Sequence, residues 1–176
     1  MAQAVSSEVA ALTRLRVATG IDAHPLGGEG PVILAGISIE HDQGLVGHSD
    51  ADVVAHAAID ALLGAAGRDE DVGTCYPPDD PELAGADSMK LLAEVVHQVR
   101  HAGFELVNMD VTVVAELPRI APHRTTMRRH LAAVLGVDAG RVTIRGTSTD
   151  RQGFVGRGEG IAAVVTCLML APESGS

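Results

Sequence analysis

Three residues from two separate stretches have the types and spacing for metal chemistry. Asp22 and His24 alternate in Gly20-Ile21-Asp22-Ala23-His24. His56 lies inside the run from Gly47-His48-Ser49-Asp50-Ala51-Asp52 to Asp60-Ala61-Leu62-Leu63-Gly64. Residues two apart on a strand point to one face. An Asp and a His there, joined by a His from a distant helix, make three oxygen and nitrogen ligands with a fourth position open. That is the pattern of a catalytic zinc site rather than of a closed structural one. On the helix, Asp52, His56 and Asp60 fall at i, i+4 and i+8 and are expected on one face, where a carboxylate could orient the second ring nitrogen of His56. A solvated polar stripe has the same spacing.

The elements that must position these groups follow from periodicity. Strands are expected at 14–22, 32–40, 106–115, 141–148 and 161–170, the first ending in a polar turn because Pro25 and Gly27-Gly28 follow at once. Helices are expected at 50–66, 87–102 and 122–135. Ser49 or Asp50 is the expected cap of the first, whose apolar residues include Val53, Ala57, Leu62 and Leu63 before Gly64. The second opens on Asp87-Ser88, carries Leu91, Leu92, Val95, Val96 and Val99, and stops at Gly103. The third runs from near Pro122 to Gly136 with Met127, Leu131 and Leu135 one turn apart. Strands and helices mix without strict alternation. The expected fold is therefore an α+β single-domain sandwich, a mainly antiparallel or mixed sheet with helices on one face.

Composition narrows the function. The chain has 176 residues, room for one domain with a sizeable core, and residues 14–171 are expected to form it between tails at 1–13 and 172–176. The tail at 1–13 is Ala- and Ser-rich, lacks the pattern of a secretory signal, and is expected to be disordered. Only 2% of residues are aromatic against 46% hydrophobic, so the core must be Val, Leu, Ile and Ala. A net charge of -10 argues against nucleic acid and anionic membranes as partners. An anionic substrate would then need local cations and donors. Cys75 and Cys167 are far apart, which favours neither a disulfide framework nor a cysteine metal knot, and points to a reduced, cytoplasmic setting.

Two further stretches are candidates for ligand contact. Gly73-Thr74-Cys75-Tyr76-Pro77-Pro78-Asp79-Asp80-Pro81 is a proline-rich loop without expected regular structure, and Asp71 precedes it either as a solvated charge or as a partner for a hydroxyl-bearing ligand. Arg145 to Gly160 groups Thr147-Ser148-Thr149-Asp150 with several glycines. Its free donors suit phosphate oxygens, and the alternative is a hairpin with a glycine-rich bend. It lacks Gly-Lys-Ser/Thr and is no Walker loop.

Together, Gly20 to His24, His48-Ser49-Asp50-Ala51-Asp52 with His56 and Asp60 to Gly64, and Gly153-Phe154-Val155-Gly156-Arg157-Gly158-Glu159-Gly160 resemble the 2-C-methyl-D-erythritol 2,4-cyclodiphosphate synthase family, in order and with matching spacing from about Arg16 to Leu170. The resemblance implies a homotrimer with active sites between subunits. It implies conversion of 4-diphosphocytidyl-2-C-methyl-D-erythritol 2-phosphate to the cyclic diphosphate, with release of CMP. Asp22, His24 and His56 match metal ligands, usually zinc, one ion per subunit. A second ion, Mg²⁺ or Mn²⁺, accompanies the substrate diphosphate and is matched by Asp150. His48 and Ser148 match the catalytic positions. Substrate contacts are matched by Asp22, Ala23, His24, His48 and Ser49; by Asp71, Val72 and Gly73; and by Tyr76, Pro77, Pro78, Asp79 and Asp80. Ala115, Glu116, Leu117, Pro118, Arg119, Ile120 and Ala121 match the loop around the cytosine. Thr147, Ser148, Thr149, Asp150, Phe154 and Arg157 match further contacts.

The chain departs from the family in two places. Thr147-Ser148-Thr149-Asp150 stands where Thr-Thr-Thr-Glu is common, so the acid is one methylene shorter. Ile21 stands where some relatives carry an aromatic residue. Two other functions fit the residues alone: a zinc hydrolase giving a linear product, and a non-enzymatic trimeric module binding isoprenoid phosphates. The lack of His-Glu-x-x-His weighs against the first, and three hydroxyls beside Asp150 weigh against the second.

Overall fold

The computed structural model describes residues 12–173. The expected tail at 1–13 therefore lies almost wholly outside the described residues. Five strands form one mixed sheet: β1 (Leu15–Gly27), β4 (Gly44–Leu45), β5 (Glu105–Val114), β6 (Val142–Thr147) and β7 (Gly160–Leu170), in the order β4-β1-β7-β5-β6. Only β5 and β6 run parallel, as expected for strands joined by a crossover helix. Three long helices cover one face: α1 (Val53–Ala65), α3 (Ser88–His101) and α4 (Arg124–Leu135). A one-turn helix, α2 (Val72–Cys75), and another, α5 (Gly153–Gly156), sit in the connections. No helix among the described residues is long and apolar enough to cross a membrane.

Helix periodicity agrees with the structure. Leu91, Leu92, Val95, Val96 and Val99 of α3 are buried, as are Met127, Leu131 and Leu135 of α4. Gly136 ends α4 in the left-handed region at φ 58°, where a glycine costs least. Helix α1 is buried nearly all round, with only Asp60 and Gly64 emerging from the core.

Four expectations are corrected. The single strand expected over 32–40 is a hairpin, β2 (Val32–Leu34) and β3 (Ile37–Ile39), because Ala35 and Gly36 both take positive φ and reverse the chain in two residues. The cap of α1 is Asp52, not Ser49 or Asp50. Its carboxylate is fully buried and accepts the N–H groups of Val54 and Ala55 from the helix, and of Ala35 and Gly36 from the hairpin turn. It thus pins the hairpin to the helix start and is not part of a ladder with His56. Burial raises its pKa to about 6, against the pull of those donors. Third, β1 does not end at residue 22 but continues past His24 to Gly27, paired with β7 as far as Pro25↔Gly160. Last, the segment after β6 is not a hairpin, since β5 lies between β6 and β7.

Gly20 sets the approach of α1 to β1. A Cβ there would lie 2.0 Å from the carbonyl oxygen of Ala57 and 2.7 Å from the amide nitrogen of Ala61. These are backbone atoms, so only movement of the whole helix relieves the contact. Gly20→Ala is expected to destabilise the fold by roughly 1–3 kcal/mol or more. It should also spread the metal-ligand cluster, because His56 precedes Ala57 directly. A denaturant melt with wild-type stability would contradict this.

Candidate metal centre and ligand clefts

Strand β1 alternates as its period requires. Gly20, Asp22 and His24 turn toward the helix layer, whereas Val17, Thr19, Ile21 and Ala23 lie on the open face of the sheet. Helix α1 lies over β1 and presents His56, which is 8% exposed, to the first set. The His56 Nδ1 and His24 Nε2 atoms each lie 3.1 Å from the same Asp22 carboxylate oxygen, and 3.2 Å from one another. Bonds of about 2.0–2.1 Å at tetrahedral angles separate donor atoms by about 3.3 Å. The triangle therefore has the size of one face of a tetrahedral site.

The tautomer of His24 suits a ligand. Its Nδ1 lies 2.9 Å from the carbonyl oxygen of Val46, which can only accept, so Nδ1 carries the hydrogen and the Nε2 lone pair faces the cluster. Burial pushes the Asp22 carboxyl up, but the two imidazoles outweigh it and hold that carboxyl well below the ordinary range. Asp22 in turn draws the His24 pKa upward against burial. A carboxylate and two ring nitrogens converging on one point form a donor set that fits a divalent cation.

Around the cluster lies a cavity of about 190 Å³ lined also by His48, Ser49, Val72, Gly73, Tyr76, Pro78, Leu83 and Leu91. His48 Nε2 is 2.7 Å from the carbonyl oxygen of Asp80, which fixes that ring against the proline-rich loop. That loop is more regular than its sequence implied. Asp71 caps α2 by accepting the Thr74 N–H and hydroxyl, and Asp80 caps a 3-10 turn at Pro81–Leu83. Asp60, the third acid of the supposed ladder, accepts the Val72 N–H at 2.7 Å and so ties α1 to this wall. The Tyr76 hydroxyl lies 3.2 Å from both the Leu91 carbonyl and Glu94, and burial together with that carboxylate pushes its pKa up. Pro77 and Asp79 do not line the cavity, and Ala23 lies on the other sheet face.

A second cleft of about 370 Å³ lies at the C-terminal ends of β5 and β6, lined by Ala115, Glu116, Pro118, Arg119, Ile120, Ala121, Thr147 and Ser148, with Arg124 and Gly146. Leu117 stands 57% exposed beside a cis Leu117–Pro118 bond. Glu116 is a brace: its carboxylate accepts the N–H groups of Thr149 and Arg151 and the Thr149 hydroxyl. Asp150 projects from this braced turn at φ 51°, with Ser148 Oγ 3.5 Å from its carboxylate. Phe154 and Arg157 line neither cleft. Arg157 pairs with Glu159, and the Phe154 ring rests near Gly160.

The two clefts share no residue. Asp22 pairs with Ala163, Ala163 with Val113 and Val113 with Gly146. Three strand spacings, about 14 Å, thus separate the metal centre from the second cleft along one row of the sheet. His48 and Ser148 consequently lie in different clefts of one chain.

Two residues behind the metal centre escaped the sequence reading. Ser88 is fully buried at the start of α3, and its Oγ lies 3.0 Å from His56 Nε2 and 2.5 Å from an Asp50 carboxylate oxygen. The expected carboxylate behind His56 is therefore present at one remove, through a serine. Its only signal in the sequence was a polar residue opening an otherwise apolar helix face.

Comparison with known proteins gives a concordant result. The YgbB family matches residues 15–170. The 2-C-methyl-D-erythritol 2,4-cyclodiphosphate synthase of Rubrobacter xylanophilus is 51% identical over 157 residues, 88% of this chain and 94% of the relative. The synthase of Laribacter hongkongensis is 50% identical over 155 residues, 88% and 95% of the two chains. The bifunctional IspDF of Campylobacter jejuni shares the fold at a TM-score of 0.85 and 38% identity, over 89% of this chain and 42% of that longer one. A CDP-bound 2C-methyl-D-erythritol-2,4-cyclodiphosphate synthase gives 0.79 at 28% identity, over 88% and 99%. With its fold and residues 15–170 both matched, the chain belongs to the YgbB family.

Proposed function

We propose that the chain cyclises 4-diphosphocytidyl-2-C-methyl-D-erythritol 2-phosphate to 2-C-methyl-D-erythritol 2,4-cyclodiphosphate with release of CMP, a phosphorus–oxygen lyase reaction of non-mevalonate isoprenoid biosynthesis. The observation that carries this reading is the convergence of Asp22, His24 and His56 at the wall of a cavity that also presents His48 and Ser49. The relatives' names supply the product.

The reaction joins two anions within one molecule. A 2-phosphate oxygen attacks the β-phosphorus of the diphosphate, the bond to the CMP oxygen breaks, and CMP leaves with the electron pair. The nucleophile is already ionised, so no general base is required. Repulsion and misorientation make up much of the barrier, and holding both ends in near-attack geometry is worth up to about 7–11 kcal/mol. A zinc ion on Asp22, His24 and His56, with Mg²⁺ or Mn²⁺ on the diphosphate, would supply electrostatic neutralisation of the phosphates. His48 and Ser49 stand in the wall of the same cavity, beside the phosphate that the metal centre would hold. The loop from Ala115 to Ala121, with Arg119, holds the cytosine end, and Ser148 offers a hydroxyl to the diphosphate.

Because the two clefts lie on different strands of one chain, the reading includes a homotrimer in which the metal centre of one subunit faces the cytosine cleft of the next. The open sheet face supports it. Val17 and Ile21 are 68% and 65% exposed there, beside Leu168 and Val164 in the paired positions of β7. An apolar face of this kind is a surface for association.

The test is to incubate purified protein with the substrate, Zn²⁺ and Mg²⁺ and to follow phosphorus products by NMR. Cyclic diphosphate and CMP are expected, whereas a linear hydrolysed product would replace this reading by the hydrolase. Asp150 is the proposed residue for the second ion. It is exposed and in no ion pair among the described residues, and its carboxylate reaches roughly 1.5 Å less far than a glutamate would. Magnesium keeps several waters in a near-ideal octahedron, so the shorter arm can hold it directly or through one of those waters. Asp150→Asn is expected to keep zinc while losing most of kcat and shifting the magnesium dependence of the rate. Identical magnesium titrations for the variant and wild type would assign the second ion elsewhere.

A further inference from the structure

The geometry points to Asp50 and Ser88 as positioning residues that keep the His56 Nδ1 lone pair free for the metal, an inference that rests on the metal-centre reading above. The argument is an accounting of hydrogens. The Asp50 carboxylate accepts the Ser88 hydroxyl at 2.5 Å and the Ser88 backbone N–H at 3.3 Å. Ser88 has one hydroxyl hydrogen, and Asp50 takes it. Toward His56, 3.0 Å away, Ser88 Oγ can therefore only accept. His56 Nε2 must then carry the ring hydrogen, which leaves Nδ1 as the lone pair facing Asp22 and His24. Ser49 is consistent with this. Its Oγ is 2.9 Å from Ser88 Oγ and 3.1 Å from His56 Nε2, so its hydroxyl donates to Ser88 while its oxygen shares the imidazole N–H.

The constraint matters because the local chemistry opposes it. A carboxylate oxygen of Asp22 lies 3.1 Å from His56 Nδ1, and a neutral imidazole beside it gains a hydrogen bond by placing its hydrogen there. That tautomer has no lone pair for a metal at Nδ1. The Asp50–Ser88 pair works against that alternative by setting an accepting oxygen 3.0 Å from Nε2, while Ser49, the other hydroxyl within reach, gives its hydrogen to Ser88. Asp50 itself is held from both sides: its N–H donates to the Ala86 carbonyl, and its carboxylate receives the Asp52 N–H at 3.3 Å. The relay thus joins the loop before α1 to the start of α3 and orients a ligand that neither segment carries. Outer partners of ligating imidazoles typically contribute 10–100-fold to metal affinity.

The test uses the full-length protein, stripped of metal and reloaded. Nitrogen-15 NMR of the metal-free protein at alkaline pH should show His56 protonated at Nε2 in wild type. In Asp50→Ala the Ser88 hydroxyl is released to donate, and the signal should move toward the Nδ1–H tautomer. Asp50→Asn, whose amide oxygen can still accept the hydroxyl, should restore the wild-type tautomer. Competition with a chromophoric zinc chelator should show zinc bound 10–100-fold more weakly by Asp50→Ala and by Ser88→Ala, with helix content unchanged. A His56 that stays protonated at Nε2 in Asp50→Ala, or a Ser88→Ala protein binding zinc within twofold of wild type, would overturn the relay. Failure of wild type to bind zinc would instead overturn the metal centre on which it rests.

Discussion

Replacing His56 by alanine is expected to release zinc from the protein and to lower kcat about a thousandfold, with the fold retained. The two remaining ligands, Asp22 and His24, both belong to β1 and leave the helix side of the site open. Two of the three donors cannot close a tetrahedral face, so affinity should fall below what the protein retains through dialysis. A thousandfold loss corresponds to about 4 kcal/mol, the order expected when several kcal/mol of charge stabilisation is withdrawn from a reaction between anions. The fold should survive because alanine is the best residue for the middle of a helix, and His56 sits at the edge of the core beside a cavity. The lost ring leaves Ser88 and Asp50 paired with one another, so the half-buried Asp50 carboxylate keeps its partner. Metal analysis by mass spectrometry, circular dichroism and the product assay together check this. Full zinc occupancy in the variant would remove His56 from the site.

Much of this arrangement was legible in the sequence because it follows from short-range geometry. Alternation on a strand places Asp22 and His24 on one face, and helical spacing makes α3 and α4 readable from their buried stripes. What could not be read depends on groups brought together by tertiary contact. Asp52 looked like one rung of a ladder with His56, but its partners Ala35 and Gly36 lie in a turn that only the hairpin creates. A regular i, i+4 spacing says which way a side chain leaves the helix axis, and a capping residue is already outside that geometry. Likewise, Ser88 became a neighbour of His56 only when α3 packed against α1. The strand expected at 32–40 failed because apolar residues flank Ala35-Gly36 symmetrically, and a two-residue reversal leaves the hydrophobic pattern uninterrupted. The separation of the clefts was not legible at all, since it depends on β7 and β5 lying between β1 and β6.

That separation leads to the other large expected effect, which comes from the open face of the sheet. Ile21→Glu is expected to convert a trimer to monomers and to reduce cyclisation to background while zinc binding persists. Ile21 alternates with Asp22 along β1, so its side chain leaves the sheet on the side away from the metal ligands. In the single chain it is 65% exposed, and a glutamate there meets water rather than core, so the subunit fold should tolerate it. In the proposed trimer the same position would be covered, and C3 symmetry would repeat the substitution in all three subunits. Each carboxylate must then be desolvated without a partner, a cost of several kcal/mol per site that apolar contact alone does not offset. The metal centre should remain, because Asp22, His24 and His56 all come from one chain. Activity should not, because the second cleft of that chain, the proposed cytosine site, lies about 14 Å from its own metal-ligand cluster across the sheet. Light scattering at micromolar concentration should give about three chain masses for wild type and one for the variant. Metal analysis and the product assay on the same samples then separate assembly from ligation. A monomeric Ile21→Glu protein that still cyclises the substrate would show that one chain closes its own site, and the shared-site reading would fall.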